Sequence, residues 1–480
     1  MPIKVSVVLL SRDPGAKLEK SIGSLLKQTL PHAHFEVILV DCGSTDGTSE
    51  RLDQLAAEQA NFHLLKQANH EGPGHPRNFA ASLARGDYIT FLEAGDWLGA
   101  EALERLYEYG TQHGSDIVAG KIASKGRAVP RVLFSKDRPF ATLENAPLID
   151  SLGCHKLFRR QFLMEHQIRF TENRIGLVDH AFVARAYLLA HHTSVLSSYV
   201  CFYQTSGSQW GSPVLEDYFK GLREALDVVE SHTQPGALRD KIYRRWLRVE
   251  MTERMRGQQL LKQDPENRDA LLKAMRELII NRFGQGVLAG LQPAQQVITA
   301  LILGELSADL VAFAQWESSI HVVSEIDRVR WHGGSVELSV RAELMVGPQP
   351  MAFFHIGGVD VLEPPLSPEA RGIVGRVGAN MEIQTHKSAL EAVLRERASA
   401  AESSLPVKLR RSRLPVAMRA DFESGAYGER FRLIFEGEIS IASQISAGEK
   451  GLSAGSWDPV VRIRLGGWNK SSVMGRSSLS

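Results

Sequence analysis

The fold is decided by residues 34–97, where apolar runs repeatedly end in acidic or glycine-rich turns. In chain order these are Phe35–Val40 with Asp41-Cys42-Gly43-Ser44-Thr45-Asp46-Gly47, then Asn69-His70-Glu71-Gly72-Pro73-Gly74-His75-Pro76-Arg77-Asn78, then Tyr88–Leu92 with Glu93-Ala94-Gly95-Asp96-Trp97. Apolar strands that stop at such turns, each followed by a helix, are typical of a parallel α/β sheet. These sheets bind ligands at the carboxyl ends of their strands. The sequence therefore predicts one crevice lined by Asp41, Arg77, Glu93 and Asp96.

Composition indicates an ordinary globular protein of several domains. The chain has 480 residues, of which 43% are hydrophobic and 23% charged. This length suggests roughly three domains of about 150 residues each. A formal net charge of +1 gives no overall field that would favour nucleic acid or an anionic membrane. The three cysteines form no CxxC pair, so we expect neither a disulfide framework nor a structural zinc site.

The sequence shows no targeting or membrane-spanning segment. Met1–Lys4 leads directly into a six-residue apolar run, which is too short for a signal peptide. No stretch approaches the roughly 20 apolar residues of a membrane helix. We therefore expect a cytoplasmic protein that is either free or associated with the inner face of the membrane.

The character of the chain changes twice along its length. Residues 1–210 alternate strands and helices, and residues 211–318 have helical periodicity, from which we expect a linker or buttress of four or five helices. Residues 319–480 contain short alternating runs between Gly- and Pro-containing turns, typical of an all-β, sandwich-like module. This module would bind polymer or drive homo-oligomer formation. Its basic cluster is either a solvated strand face or a phosphate or lipid contact: Lys408, Arg410, Arg411 and Arg413.

The first two turns carry groups suited to a nucleotide. A carboxylate at a strand end, such as Asp41, can accept hydrogen bonds from a base or a ribose hydroxyl, although it can equally cap a helix. The glycines at 72 and 74 allow close backbone approach to a ligand. Arg77 can chelate a diphosphate or stack on a base, or can simply be a surface arginine.

The third turn carries carboxylates suited to a metal ion. Mg²⁺ or Mn²⁺ usually takes one or two carboxylates together with substrate phosphates, which fits Glu93 and Asp96. The alternative is that Asp96-Trp97 simply begins the next element.

Taken together, these motifs resemble the GT-A domain of family-two glycosyltransferases. Val5–Asp13, the Asp41–Thr48 turn, the Gly72–Asn78 loop and Tyr88–Trp97 carry the resemblance, and Gly153–Phe170 with Asp179–Tyr187 extends it to about residue 205. Members of this family are inverting enzymes that transfer a sugar from a nucleotide diphosphate donor. Within the family the chain is most similar to bacterial teichoic-acid and polysaccharide-building members with a β-rich carboxy-terminal region. The resemblance therefore implies a Rossmann-like GT-A domain, a helical linker and a β module.

The resemblance also implies roles for individual residues. Those facing the donor would be Asp41, Gly72, Gly74, Arg77, Asn78 and Glu93. Mg²⁺ or Mn²⁺ would be held by Asp96, assisted by Glu93, and Asp179 would be the base that deprotonates the acceptor hydroxyl. The acceptor, a glycan or a polyol phosphate, would contact Lys156, Arg159 and His180.

The chain departs from the family pattern at several acidic positions. Cys42, Gly95 and Val178 stand where the family usually has acidic residues, and Gln204–Trp210 lacks the histidine often found there. Two hypotheses follow. One is an active transferase that moves a sugar from a nucleotide diphosphate donor, with UDP the expected nucleotide, to a cell-wall or surface acceptor. The other is a degenerate GT-A domain that binds nucleotide sugars or glycans, or serves as a scaffold.

Overall fold

The computed structural model describes residues 2–67, 71–124, 128–205, 209–332, 335–362, 364–377, 382–417, 429–442 and 456–474. The chain divides into two compact units, Met1–Ile242 and Tyr243–Ser480. The three-part division expected from the sequence stays a prediction. None of the helices in the described ranges has the length and apolar character that crossing a bilayer requires.

The first unit is an α/β domain. Its elements are β1 (Val5–Ser11), α1 (Lys17–Leu26), β2 (Phe35–Asp41), α2 (Thr48–Glu58), β3 (Phe62–Lys66), α3 (Gly74–Leu83), β4 (Tyr88–Glu93), β5 (Trp97–Leu98), α4 (Ala102–His113), β6 (Ile117–Ser124), β7 (Arg138–Ala141), β8 (Leu157–Arg159), α5 (Arg160–Glu165), α6 (Val178–Leu189), β9 (Thr193–Gln204), α7 (Leu215–His232) and α8 (Ala237–Trp246), which contains the boundary between units. The apolar runs Phe35–Val40 and Tyr88–Leu92 predicted β2 and β4 to within one residue at each end.

The sheet of the first unit has the strand order β3-β2-β1-β4-β8-β6-β9-β5, with β7 also paired to β9. Strands β3, β2, β1 and β4 are parallel, as predicted. The sheet as a whole is mixed, because β8 runs antiparallel to both β4 and β6. β8 has three residues, so the alternation of its side chains was too brief to reveal a strand.

Burial fixes the register of the parallel strands. Every residue of β1 and β2 is buried, as expected for strands covered on both faces. Leu18, Ile22 and Leu25 of α1 recur at helical spacing and pack into the same core. The ends of β1, β2 and β4 are therefore held at one edge of the sheet, where their loops meet.

The second unit begins with helices and continues with antiparallel strands. Its elements are α9 (Gly257–Leu261), α10 (Pro265–Arg282), α11 (Gln285–Ala289), α12 (Pro293–Leu303), α13 (Ser307–Ser318), β10 (Ile320–His332), β11 (Ser335–Val346), β12 (Gln349–Pro350), β13 (Ala352–Ile356), β14 (Val359–Leu362), α14 (Pro368–Val377), α15 (Glu382–Lys387), β15 (Ala389–Glu396), β16 (Glu402–Leu405), β17 (Val407–Pro415), β18 (Glu429–Ala442), β19 (Trp457–Leu465) and β20 (Trp468–Val473). The expectation of four or five helices in the linker region was wrong, because the segment from α7 to α13 also contains two helices of five residues each.

The β module consists of two antiparallel sheets, of seven and four strands. They pack against each other: a Cβ placed on Gly437 of β18 would lie 2.7 Å from Leu390 Cδ2 of β15. This confirms the sandwich-like β module, with the addition of helices α14 and α15. The basic cluster lies on β17, whose Lys408 and Arg410 are exposed.

Candidate active site

The loops after β1 and β2 are tied together by side-chain carboxylates. Asp13 accepts a hydrogen bond from Thr45 N at 2.6 Å, and Asp46 accepts one from Gly15 N at 2.8 Å. Asp41, at the end of β2, is buried and accepts the N–H of Ser44 at 3.0 Å. The Asp41 carboxylate therefore has a fixed position at the ligand-binding edge of the sheet.

The glycine turn before α3 allows close contact with another part of the same domain. A Cβ on Gly72 would lie 1.8 Å from the carbonyl oxygen of Arg174, and one on Gly74 would lie 2.0 Å from that of Thr171. Asn78 bonds to the same segment, since its Nδ2 donates to Phe170 O and its Oδ1 accepts Phe170 N, both at 2.9 Å. The structure thus places all three candidates against residues 170–174, and their contact with a donor stays a prediction.

Arg77 is the centre of a buried ionic cluster. Its side chain is 3% exposed, Nη1 donates to Asp179 Oδ1 at 2.6 Å, and Nη2 donates to Glu93 Oε1 at 2.8 Å. The ring of Phe170 lies 5.0 Å from the guanidinium carbon. Three residues distant in sequence therefore meet, and both terminal nitrogens of Arg77 hold carboxylates.

Asp179 is held from a second side as well. It lies in the first turn of α6, and its Oδ2 accepts the backbone N–H of Cys154 at 2.9 Å. Burial alone would raise the pKa of Asp179, but the charge of Arg77 and the Cys154 N–H lower it to about 2. For Glu93 burial outweighs the attraction of Arg77, so its pKa is raised. The two carboxylates around one arginine are thus held at different basicities.

Asp96 is bonded into the protein through both carboxylate oxygens. Oδ1 accepts Thr205 N at 2.7 Å and Thr205 Oγ1 at 3.2 Å, and Oδ2 lies 2.8 Å from His155 Nε2. His155 thereby braces Asp96. Asp96 therefore ties the end of β4 to the end of β9.

These contacts do not fit the predicted metal site. Asp96 keeps lone pairs besides those that accept its hydrogen bonds, but Glu93 would have to leave Arg77 in order to bind Mg²⁺. Across the part of the chain that the structure describes, no group of three or more His, Cys, Asp or Glu side chains is arranged to hold a metal ion. The predicted pair of carboxylates is thus reduced to Asp96, with Glu93 already paired and Gly95 contributing no carboxylate.

A cavity of about 210 Å³ opens beside the ionic cluster. Its lining includes Arg77, Glu93, Asp179, His180, Leu177 and Trp210. The cavity therefore contains His180 and Asp179, whose roles stay predictions, and adds Trp210. Trp210 follows a segment without periodicity, so the sequence carried no signal for it.

Lys156 and Arg159 take different places from those predicted. Lys156 as a surface contact for an anionic acceptor is wrong: the side chain is fully buried, and Nζ donates to Ser151 Oγ and Gly153 O at 3.1 and 2.5 Å. Burial lowers its pKa to about 8. Arg159 donates to Asp116 through two nitrogens. Both cations bond within the domain, since Lys156 lies just before β8 and Arg159 is the last residue of β8.

Comparison with known proteins agrees with this geometry. Residues 6–167 match the model of glycosyl transferase family 2, and residues 215–314 match that of the glycosyl transferase TarS linker domain. The mixed sheet with acidic loops at one edge agrees with the glycosyltransferase model that matches this part of the chain. The first unit contains a family-two glycosyltransferase domain, which confirms the resemblance seen in the sequence.

Several curated relatives act on one kind of polymer, according to their names. The chain is 34% identical over 203 residues to a poly(ribitol-phosphate) beta-glucosyltransferase of Bacillus spizizenii, an alignment covering 42% of this chain and 32% of the relative. It is 31% identical over 244 residues to the poly(ribitol-phosphate) beta-N-acetylglucosaminyltransferase TarS of Staphylococcus aureus, covering 48% and 42%. The chain thus spans less than half the length of these two relatives.

Solved structures share the fold. S. aureus TarS residues 1–349 in complex with UDP-GlcNAc superpose with a TM-score of 0.58 and 24% identity, covering 72% of this chain and 98% of that one. A longer TarS structure covers all of this chain and 79% of that one, with a TM-score of 0.58 and 19% identity. The shared architecture confirms a GT-A domain followed by a helical region and antiparallel sheets.

Proposed function

We propose that this protein is an inverting glycosyltransferase that moves a sugar from a UDP-sugar to a hydroxyl of a polyol-phosphate polymer of the cell wall or surface. The observation that carries the proposal is the meeting of Asp179, Arg77 and Glu93 at one cavity. The names of the relatives support the choice of donor and acceptor class.

In the proposed reaction the acceptor hydroxyl attacks the anomeric carbon as the bond to the diphosphate breaks, which inverts the configuration. Asp179 takes the hydroxyl proton. A carboxylate with a pKa of about 2 is ionised at neutral pH but is a weak base. It suffices if the proton leaves late, because bond formation to an oxocarbenium-like carbon makes the hydroxyl strongly acidic. Arg77 fixes the position of Asp179 in the ionised form.

The other residues have supporting parts in this proposal. Asp41 would contact the nucleotide from the end of β2, and Glu93 would lie beside the transferred sugar. His180, next to Asp179 on α6, would contact the acceptor. Cytoplasmic location, association with the inner membrane face and oligomer formation through the β module stay predictions.

The degenerate alternative has its own support. Cys42 is buried, and its pKa is raised to about 12 by burial and by Asp41, so it offers a neutral thiol where the family usually has a carboxylate. A site that has lost such charges could bind a nucleotide sugar without transferring it. The test must therefore separate binding from transfer.

The experiment compares Asp179→Asn with the native chain in two assays. UDP binding is measured by calorimetry, and sugar transfer to poly(ribitol phosphate) is measured with a panel of UDP-sugars. We expect UDP affinity to be retained and transfer to fall about 10²- to 10⁴-fold, the usual contribution of a general base. The control is Asp87→Asn, an exposed carboxylate just before β4, at the opposite end of that strand from Glu93.

Two results would count against the proposal. Undiminished transfer by Asp179→Asn would remove Asp179 as the base. UDP binding by the native chain without transfer or hydrolysis of any donor would favour the binding module.

A further inference from the structure

The loop after β1 lies where a donor diphosphate must pass. In the sheet, β1 stands between β2, which ends at Asp41, and β4, which ends at Glu93. A ligand that reaches from Asp41 to the cavity at Glu93 and Asp179 therefore crosses the carboxyl end of β1. The loop that follows this strand carries Arg12 and ends at Lys17, the first residue of α1.

Lys17 lies against Gly95, in the turn after β4. A Cβ placed on Gly95 would lie 3.5 Å from Lys17 Cβ and 3.6 Å from Lys17 Cδ. The aliphatic stem of Lys17 thus occupies the space beside the glycine, and the residue is exposed. A glycine fits here because its φ is +106°, a conformation that other residues rarely adopt.

The charge balance at this turn differs from that of a metal-binding turn. Glycine contributes no carboxylate, the two oxygens of Asp96 are bonded to Thr205 and His155, and Glu93 is bonded to Arg77. Beside the same turn lies the stem of Lys17, an exposed residue at the start of α1 whose ammonium is within a flexible side chain's reach of this end of the sheet. A turn with one carboxylate fewer and a lysine beside it has less need of a bridging cation to hold an anionic ligand.

We propose that this site binds the diphosphate of its donor without a resident metal ion, and that Lys17, packed beside Gly95, supplies the positive charge there. The inference rests on the proposed function, because it presumes a nucleoside diphosphate donor. In this arrangement the ammonium compensates the charge that grows on the departing diphosphate as the sugar leaves. Lysine suits this role, since it binds phosphate as a point charge at the end of a flexible stem.

The test is UDP binding by the full chain, measured by titration calorimetry in excess EDTA and again with added Mn²⁺. We expect the two affinities to agree within about twofold. Lys17→Ala should weaken binding about tenfold in EDTA, a loss of about 1.4 kcal/mol, and Lys17→Arg should restore most of it. Lys27→Ala is the matched control, an exposed lysine that follows the last turn of the same helix.

The possible outcomes are distinguishable. Binding that requires Mn²⁺ would overturn the inference and leave the proposed function standing. Lys17 would be removed from the site if Lys17→Ala bound UDP as tightly as the native chain does. This reading requires that Lys17→Ala and Lys17→Arg unfold at the same temperature as the native chain. If the native chain binds UDP in neither condition, the donor site of the proposed function fails. Gly95 itself is left unchanged, because its positive φ would confound a substitution with strain.

Discussion

Replacing Arg77 by methionine tests whether the buried cluster is held by charge. Methionine keeps an unbranched, flexible side chain over the first four positions, but is shorter and removes the two N–H donors that reach Asp179 and Glu93 at 2.6 and 2.8 Å. Removing one partner of a buried ion pair costs about 3–5 kcal/mol, because the remaining charge is left unpaired. The pKa of Asp179, about 2 against about 3.9 in an unfolded chain, independently gives about 2–3 kcal/mol for that carboxylate alone. We therefore expect a loss of about 3 kcal/mol.

Hydrogen exchange can locate this loss within the chain. Opening of the cluster should expose the amides of β4 and α6, and 3 kcal/mol corresponds to exchange that is about a hundredfold faster. Amides of β19, in the second unit, provide the internal reference. The control is Arg51→Met, which breaks the ion pair between Arg51 and Glu19, whose side chains are 33% and 56% exposed, respectively. We expect this variant to lose at most about 1 kcal/mol of unfolding free energy.

The stabilisation by the ionised Asp179 should decrease as the pH is lowered. The folded pKa of Asp179 is depressed, so its stabilisation is complete above the unfolded pKa of about 3.9 and is lost as the pH falls towards 2. The amides of Arg77→Met should therefore exchange about a hundredfold faster than those of the native chain at pH 7. The ratio of the two exchange rates should become smaller below about pH 4. Equal exchange of variant and native chain at pH 7, or a gap that persists undiminished near pH 3, would refute the electrostatic account.

Two further predictions concern packing. Gly74→Ala should lower the thermal unfolding midpoint sharply or prevent soluble expression, because the new Cβ would lie 2.0 Å from Thr171 O. The control is Gly23→Ala, which should be neutral or slightly stabilising because nothing lies within 4 Å of its new Cβ. All three cysteines are buried and free, and burial raises the pKa of each thiol. A thiol reagent such as DTNB should therefore label none of them in the native chain and three after denaturation. Rapid labelling of a thiol in the native chain would contradict the burial.

Much of the fold follows from local patterns in the sequence. Continuous apolar runs predicted β1, β2 and β4, because strands covered on both faces exclude polar side chains. Helical periodicity predicted the helical character of residues 211–318, where α7 to α13 lie. The family resemblance then supplied the domain type, which the family models confirm for residues 6–167 and 215–314.

The roles of single polar residues did not follow in the same way. Lys156 stands in a basic run, Lys156-Leu157-Phe158-Arg159-Arg160, and was predicted to contact the acceptor, yet it is fully buried. Asp96 was predicted to hold a metal ion, which stays a prediction, but the contacts of its two oxygens with Thr205 and His155 were not foreseen. In each case the partner is distant in sequence, so local pattern could not identify it.

What the sequence determined by itself is the set of strands, helices and acidic loops, since hydrophobic periodicity and turn chemistry act over a few residues. What only the tertiary structure decided is how the charged groups pair. Arg77 is 102 residues from Asp179 and 16 from Glu93, and Lys17 lies far from Gly95 along the chain. Such pairs form because the parallel strands bring their ends to one edge, and buried charges must then find partners there.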